Sequence, residues 1–256
     1  MKKTLRKLSE QLALLAIVVS LWQILLAHSA NPFFVTPSKI LRSSSTLLNT
    51  EWLRLYFIPT ILTFLSGLFF GWMIGISLAL IFTLNARVSE TCLPIINFVR
   101  CIPSVAKVPL FMAIIGIGYT TRITIVTLAV LFPVLIATMN ALSNTDKYLM
   151  EYSEILGYGK LKKLSKIQLP GGIGEILTSM QASIQGGLIV TIVSEMLGSG
   201  RGLGAFMSRS QSTFRITDLW FCLVVIGLLG LVLNQIFLVV EKKTAPWYFK
   251  SRAQHE

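Results

Sequence analysis

Among the ionisable side chains set in apolar stretches of this 256-residue chain, Arg100, Lys107 and Glu195 stand out. Arg100 and Lys107 are seven residues apart, close to two turns, so an unbroken helix would carry both on one face. Pro103, between them, is the residue that could rotate that face. In a membrane, such cations cost about 2.5–3.5 kcal/mol each on insertion scales, so they point to a water-filled route that attracts an anion. The plainer alternative puts Lys107 in a headgroup region or beside a carboxylate. Glu195 can partner a cation, act as a gate element or rest at an interface. Other chemistry finds little support. The only histidines are His28 and His255, and Cys92, Cys101 and Cys222 form no CxxC or Cys/His cluster. No metal site, catalytic residue or enzyme activity is expected. Gly200, Gly202 and Ala205 satisfy a G-x-G-x-x-A pattern, but no strand precedes them, so a tight turn is the better reading. Gly159-Lys160 is followed by Leu161, which excludes a Walker A phosphate loop.

The elements that hold these residues follow from composition. The chain is 54% hydrophobic and only 13% charged, and its mean hydropathy is +0.71. Soluble domains carry about 25% charged residues, so an ordinary soluble globule is excluded. A nucleic-acid partner is not expected either, because a basic excess of +12 would then sit on a polar surface. A spanning helix needs about 20 apolar residues, and the uncharged runs predict an all-α, polytopic membrane protein surrounded by lipid. Six spans are expected, at roughly 11–28, 57–83, 92–117, 122–143, 173–197 and 217–240. The third must absorb Arg100 and Lys107, and a straight helix from Leu93 would put Lys107 about 21 Å deep. The runs lack the period of two that barrel strands require. On the side shared by the termini lie 14 cations, against 7 on the other, so both termini are expected in the cytoplasm. The first helix reads as retained, since its apolar stretch is at or above signal-peptide length and His28 is a poor residue at a cleavage after Ala30. One domain over 1–256 is expected. Ser38 could cap a short outer amphipathic helix. Gly67, Gly71 and Gly75 line one helix face, for packing within the bundle or for a dimer contact.

The cytoplasmic loop over 144–170 carries the strongest pattern. Tyr148, Leu149, Tyr152, Ile155 and Leu156 recur at helical spacing, and Gly157 and Gly159 break the helix. Leu161, Leu164 and Ile167 form a second amphipathic stretch that should end at Pro170. A helical hairpin with an apolar face outside the membrane must dock on the chain's own helix ends or on a partner.

The spacing of Glu151, Gly157, Ile167, Leu169 and Pro170 resembles the EAA signature of permease subunits in binding-protein-dependent ABC importers. Tyr152 and Ser153 replace its two alanines. Arg100-Cys101-Ile102-Pro103, Pro109-Leu110, Gly116-Ile117-Gly118 and Leu131-Phe132-Pro133 are similar to the nitrate, sulfonate and taurine branch. Lys107 and Gly171-Gly172 depart from it. The resemblance implies a type I importer permease whose loop, with Glu151, Glu154, Gly157, Ile167, Leu169 and Pro170, docks on ABC ATPase subunits. It implies that ATP is bound by that partner and that this chain holds no cofactor. It further implies a permease homodimer in a bacterial inner membrane, and an extracytoplasmic solute-binding protein over loops 31–56 and 198–215. The solute would be a small, anionic one, with Arg100, Pro103, Lys107 and Glu195 along the path. A thiamine-precursor pyrimidine is the alternative within the family. An ion-gradient-driven secondary transporter is the alternative outside it, although no inverted repeat is visible.

Overall fold

The computed structural model describes residues 2–27, 31, 33–198 and 200–246, and among these there is no strand. The helices, in chain order, are α1 (Lys2–Ala27), α2 (Pro37–Leu47), α3 (Thr50–Trp52) and α4 (Ile58–Leu84). Next come α5 (Ala86–Cys101), α6 (Lys107–Ile115), α7 (Tyr119–Ser143), α8 (Lys147–Ile155) and α9 (Lys160–Lys163). The last three are α10 (Leu169–Gly198), α11 (Leu203–Ser212) and α12 (Ile216–Thr244). His28, His255 and the bond after Ala30 lie outside the described residues.

Four helical stretches are long and apolar enough to cross a membrane: Thr50–Leu84, Tyr119–Ser143, Lys160–Gly198 and Ile216–Thr244. The apolar part of α1, Ala13–Ala27, is shorter. The expected third span over 92–117 is not one helix. It breaks after Cys101, runs through a turn, and restarts at Lys107 as a nine-residue helix. Pro103 explains the break, because the residue before a proline is pushed out of the helical region. Ile102 accordingly has φ −75 and ψ 121. The straight-helix depth for Lys107 therefore does not apply, and Arg100 and Lys107 share no helix face.

α7 is the central element. Gly67, Gly71 and Gly75 of α4 let its backbone approach Val126, Val130 and Leu131 of α7, so the glycine stripe serves packing within the bundle. A Cβ at Gly71 would lie 2.7 Å from Val130, too close for any real contact. On the opposite flank Gly172 and Gly187 of α10 meet Ala141 and Val130. Phe64, Val126, Val130, Val134 and Ile184 fill the space between the three helices.

Two prolines shape the long helices. Ile58 and Leu169 each donate their amide to a carbonyl five residues back, at Leu53 and Leu164. Both residues immediately precede a proline, Pro59 and Pro170. A proline ring clashes with the carbonyl four residues back, and a π turn widens the helix where that clash would fall. The expectation that the helix ends at Pro170 is therefore corrected: the chain passes through the π turn directly into α10. The cap of α2 also differs. Thr36 is its N-cap and Pro37 its first residue, while the Ser38 hydroxyl sits 3.2 Å from that of Thr36.

Candidate functional site

The loop over 144–170 folds as a helical hairpin. The Asp146 carboxylate accepts from the Tyr148 amide at 2.8 Å and caps α8. Gly157, at φ +67, ends it, a backbone state that glycine adopts without a Cβ penalty. There the Gly157 and Tyr158 amides donate to Glu154 and Ser153 carbonyls, both at 2.9 Å. Lys163 Nζ reaches back 2.8 Å to Glu154 and ties α9 to α8. Those contacts, a hydrogen bond and a charge, hold the Glu154 carboxyl below its ordinary range. Lys162 lies over the Tyr158 ring at 4.2 Å.

The apolar face of this hairpin does not fold back onto the bundle. Tyr148 is 80% exposed, Tyr152 62% and Ile155 82%. Glu151 is exposed beside Lys147 at 3.7 Å. The second arm is anchored: Leu164 is buried, and Gln168 donates to the Leu142 carbonyl of α7 at 3.1 Å, while α8 buries Ser153. Ile167 is half-buried, while Leu169 and Pro170 line an apolar cavity of about 660 Å³ between α4, α10 and α12.

At the far end of α10 the expected pathway residue Glu195 is fully buried. The Thr60 hydroxyl of α4 donates to its Oε2 at 2.8 Å, and the Gly204 amide of α11 donates to the same oxygen at 3.1 Å. Arg122 of α7 faces Oε1 at 3.6 Å. The Leu203 amide in turn donates to Thr60 Oγ1 at 2.8 Å, and the Leu203 carbonyl lies 3.3 Å from Cys222 Sγ on α12. Four helices thus meet at one carboxylate, and α12 joins the cluster through Leu203. Gly202, at φ +101, closes the cradle, since a Cβ there would fall on the carboxylate itself. Two donors meet Oε2, while Oε1 is left to the charge of Arg122 alone.

Glu195 and the glycine turn with Gly202 were legible in the sequence, but not that Thr60, Arg122 and Gly204 would meet at Glu195. The alternating glycines of 198–204 and the lone cation opening α7 were the available signals. The remaining pathway candidates are not brought together. Arg100 is exposed in a cleft of about 640 Å³ with Glu90, Asn97 and Asn140. Pro103 is exposed at the helix break. Lys107 is 8% exposed, with its Nζ 5.3 Å from the centre of the Phe132 ring. Among the described residues no three His, Cys, Asp or Glu side chains gather.

Comparison with known proteins agrees with this architecture. Residues 67–248 match the family model described as "Binding-protein-dependent transport system inner membrane component". A probable ABC transporter permease protein of Haemophilus influenzae is 25% identical, covering 86% of this chain and 89% of that protein. The taurine transport system permease protein TauC of Escherichia coli is 25% identical over 95% and 91%. The formylaminopyrimidine transport permease protein ThiX of Halalkalibacterium halodurans is 25% identical over 96% and 98%. Among solved structures, an inward-facing conformation of the MetNI methionine ABC transporter superposes with a TM-score of 0.63. It covers 78% of this chain and 98% of that one at 20% identity, a likeness of fold. The family model spans more than two thirds of the sequence, and the chain belongs to the family of binding-protein-dependent transport system inner membrane components, the permease subunits of ABC importers.

Proposed function

We propose that this importer permease takes its drive through the hairpin over 144–170, by docking it on a separate ABC ATPase subunit. One observation carries the proposal: α8 presents Tyr148, Tyr152 and Ile155 to solvent on a hairpin whose other arm is anchored in the bundle. An apolar face held rigidly away from its own protein is a docking surface. Glu151 and Glu154 frame it, Gly157 turns it, and Ile167, Leu169 and Pro170 join it to α10. Two copies of the chain form the path, with termini and hairpins in the cytoplasm and a solute-binding protein on the opposite side over 31–56 and 198–215. The cation excess beside the hairpin supports that orientation.

The solute is a small anion, and Arg100, Pro103, Lys107 and Glu195 border its route. Relatives named for taurine and aliphatic sulfonates support this reading. A relative named for formylaminopyrimidine keeps a pyrimidine as the second reading. The family match removes an ion-gradient-driven carrier from consideration.

The test is co-purification. The permease, expressed with a candidate partner ATPase from the same genome, should retain that ATPase in detergent. Ile155→Asp should release it while the permease keeps its thermal stability, and Gly157→Asp should release it with an added loss of about 1 kcal/mol from backbone strain at positive φ. Full retention by both variants would sink the docking reading. For the route, Lys107→Ala should reduce uptake at limiting solute, and unchanged uptake would remove Lys107 from it.

A further inference from the structure

A cleft of about 820 Å³ opens beside the Glu195 cluster, between the start of α7, the end of α10 and α11. Its size falls in the usual range for small-molecule sites. Three arginines line it: Arg122 on α7, Arg201 in the glycine turn and Arg209 on α11. Glu195 is the one carboxylate among the lining residues, and its charge is turned inward. Its Oε2 accepts from Thr60 and Gly204, and its Oε1 faces Arg122. That buried pair cancels at the floor of the cleft. Arg201 and Arg209, both exposed, add two further guanidinium groups to the walls.

The arginines are positioned by the fold. Arg122 Nη1 lies 3.5 Å from the Arg201 carbonyl, which ties the glycine turn to α7. Arg209 Nη1 lies 3.5 Å from the Tyr56 hydroxyl at the rim. Ser208 and Ser212 add hydroxyl groups to the wall. Guanidinium forks match the oxygens of a sulfonate or carboxylate in pairs, which an ammonium cannot do. A concave wall of one sign also concentrates anions near it.

We infer that this cleft binds a small oxyanion, a sulfonate or carboxylate, at the mouth of the permease away from the hairpin. The inference rests on the importer reading and deepens it, giving the anionic solute a first site on this chain.

The experiment reads the charge of the cleft directly. A Ser208→Cys variant is made with Cys92→Ser and Cys101→Ser, leaving the buried Cys222, in nanodiscs of phosphatidylcholine with the ATPase present. Its thiol is reacted with an anionic sulfonatoethyl and a cationic trimethylammonioethyl methanethiosulfonate. The anionic-to-cationic rate ratio, relative to that of 2-mercaptoethanol, should rise by about tenfold. Arg201→Gln with Arg209→Gln should return it towards the reference, as should about 1 M KCl, which screens charge within about 3 Å. Methanesulfonate at about 50 mM should slow the labelling severalfold, compared with KCl of equal ionic strength. A ratio at the reference value, a ratio indifferent to the two glutamines, or no protection by methanesulfonate overturns the inference. Phosphatidylcholine carries no net charge, so a cleft protected only in anionic-lipid discs binds a headgroup and not a solute, which also overturns it. Retention of the ATPase is scored in the same preparation. A complex that keeps its ATPase without anion selectivity loses this inference alone, whereas loss of the ATPase counts against the docking reading.

Discussion

Arg122 Nη1 and Glu195 Oε1 stand 3.6 Å apart, with 6% and 0% of their side chains exposed. They join α7 to α10 at the end of the bundle opposite the hairpin. Removing one member of a buried pair strands the other charge, at about 3–5 kcal/mol. Arg122→Ala should therefore lower the thermal midpoint strongly. Arg122→Met with Glu195→Gln should recover most of the loss, because no charge is then left alone. Thermal unfolding in one detergent measures all three. A double variant as unstable as Arg122→Ala would deny the pairing.

Gly202 and Gly200 differ in what surrounds them, although both have positive φ. Gly200 has nothing within reach of a Cβ, so Gly200→Ala should cost only the backbone strain, about 1–2 kcal/mol. Gly202→Ala adds a collision with the Glu195 carboxylate and should cost clearly more. Equal midpoints for the two variants would show that the cradle is loose.

The α4–α7 seam makes a matching prediction. Gly71→Ala forces a methyl against Val130 and should destabilise by about 1–3 kcal/mol, as overpacked cores do. Gly227→Ala in α12 meets nothing within 4 Å and should be neutral, or stabilising by up to about 1 kcal/mol. Unfolding by denaturant in mixed micelles separates the two.

The hairpin should loosen in acid. Lys163 holds the Glu154 carboxyl below its ordinary range, so the folded form favours the carboxylate. That contribution is complete above the ordinary glutamate pKa and is lost as pH falls through the lower, folded value. A spin label at position 161 should gain mobility across that acidic window. Glu154→Gln should show the mobile spectrum at every pH. A wild-type label indifferent to acid would remove the pair from the hairpin's support.

What the sequence disclosed depended on range. Four of the long helices were legible because an uncharged run is a local signal, and so was the hairpin, where spacing and glycines coincide. The third span failed on Pro103, whose effect on Ile102 outweighs the apolar count around it. Pro170 failed in the opposite sense, because a π turn accommodates a proline that composition alone reads as a stop. The partners of Glu195 were invisible because Thr60, Arg122 and Gly204 come from separate helices. No local pattern announces a convergence of that kind.

The run from the π turn into α10 has a mechanical meaning. α10 is a 30-residue helix, about 45 Å long, with the anchored arm of the hairpin at one end and the Glu195 cluster at the other. It works as a strut with no loop to absorb strain between them. Tilting it by about 5° around its midpoint moves each end by about 2 Å. That displacement would pull apart the 2.8 Å and 3.1 Å hydrogen bonds at Glu195. The anchored arm of the hairpin and the Glu195 cluster are thus the two ends of one rigid body, and α10 cannot tilt at one end without lengthening hydrogen bonds at the other.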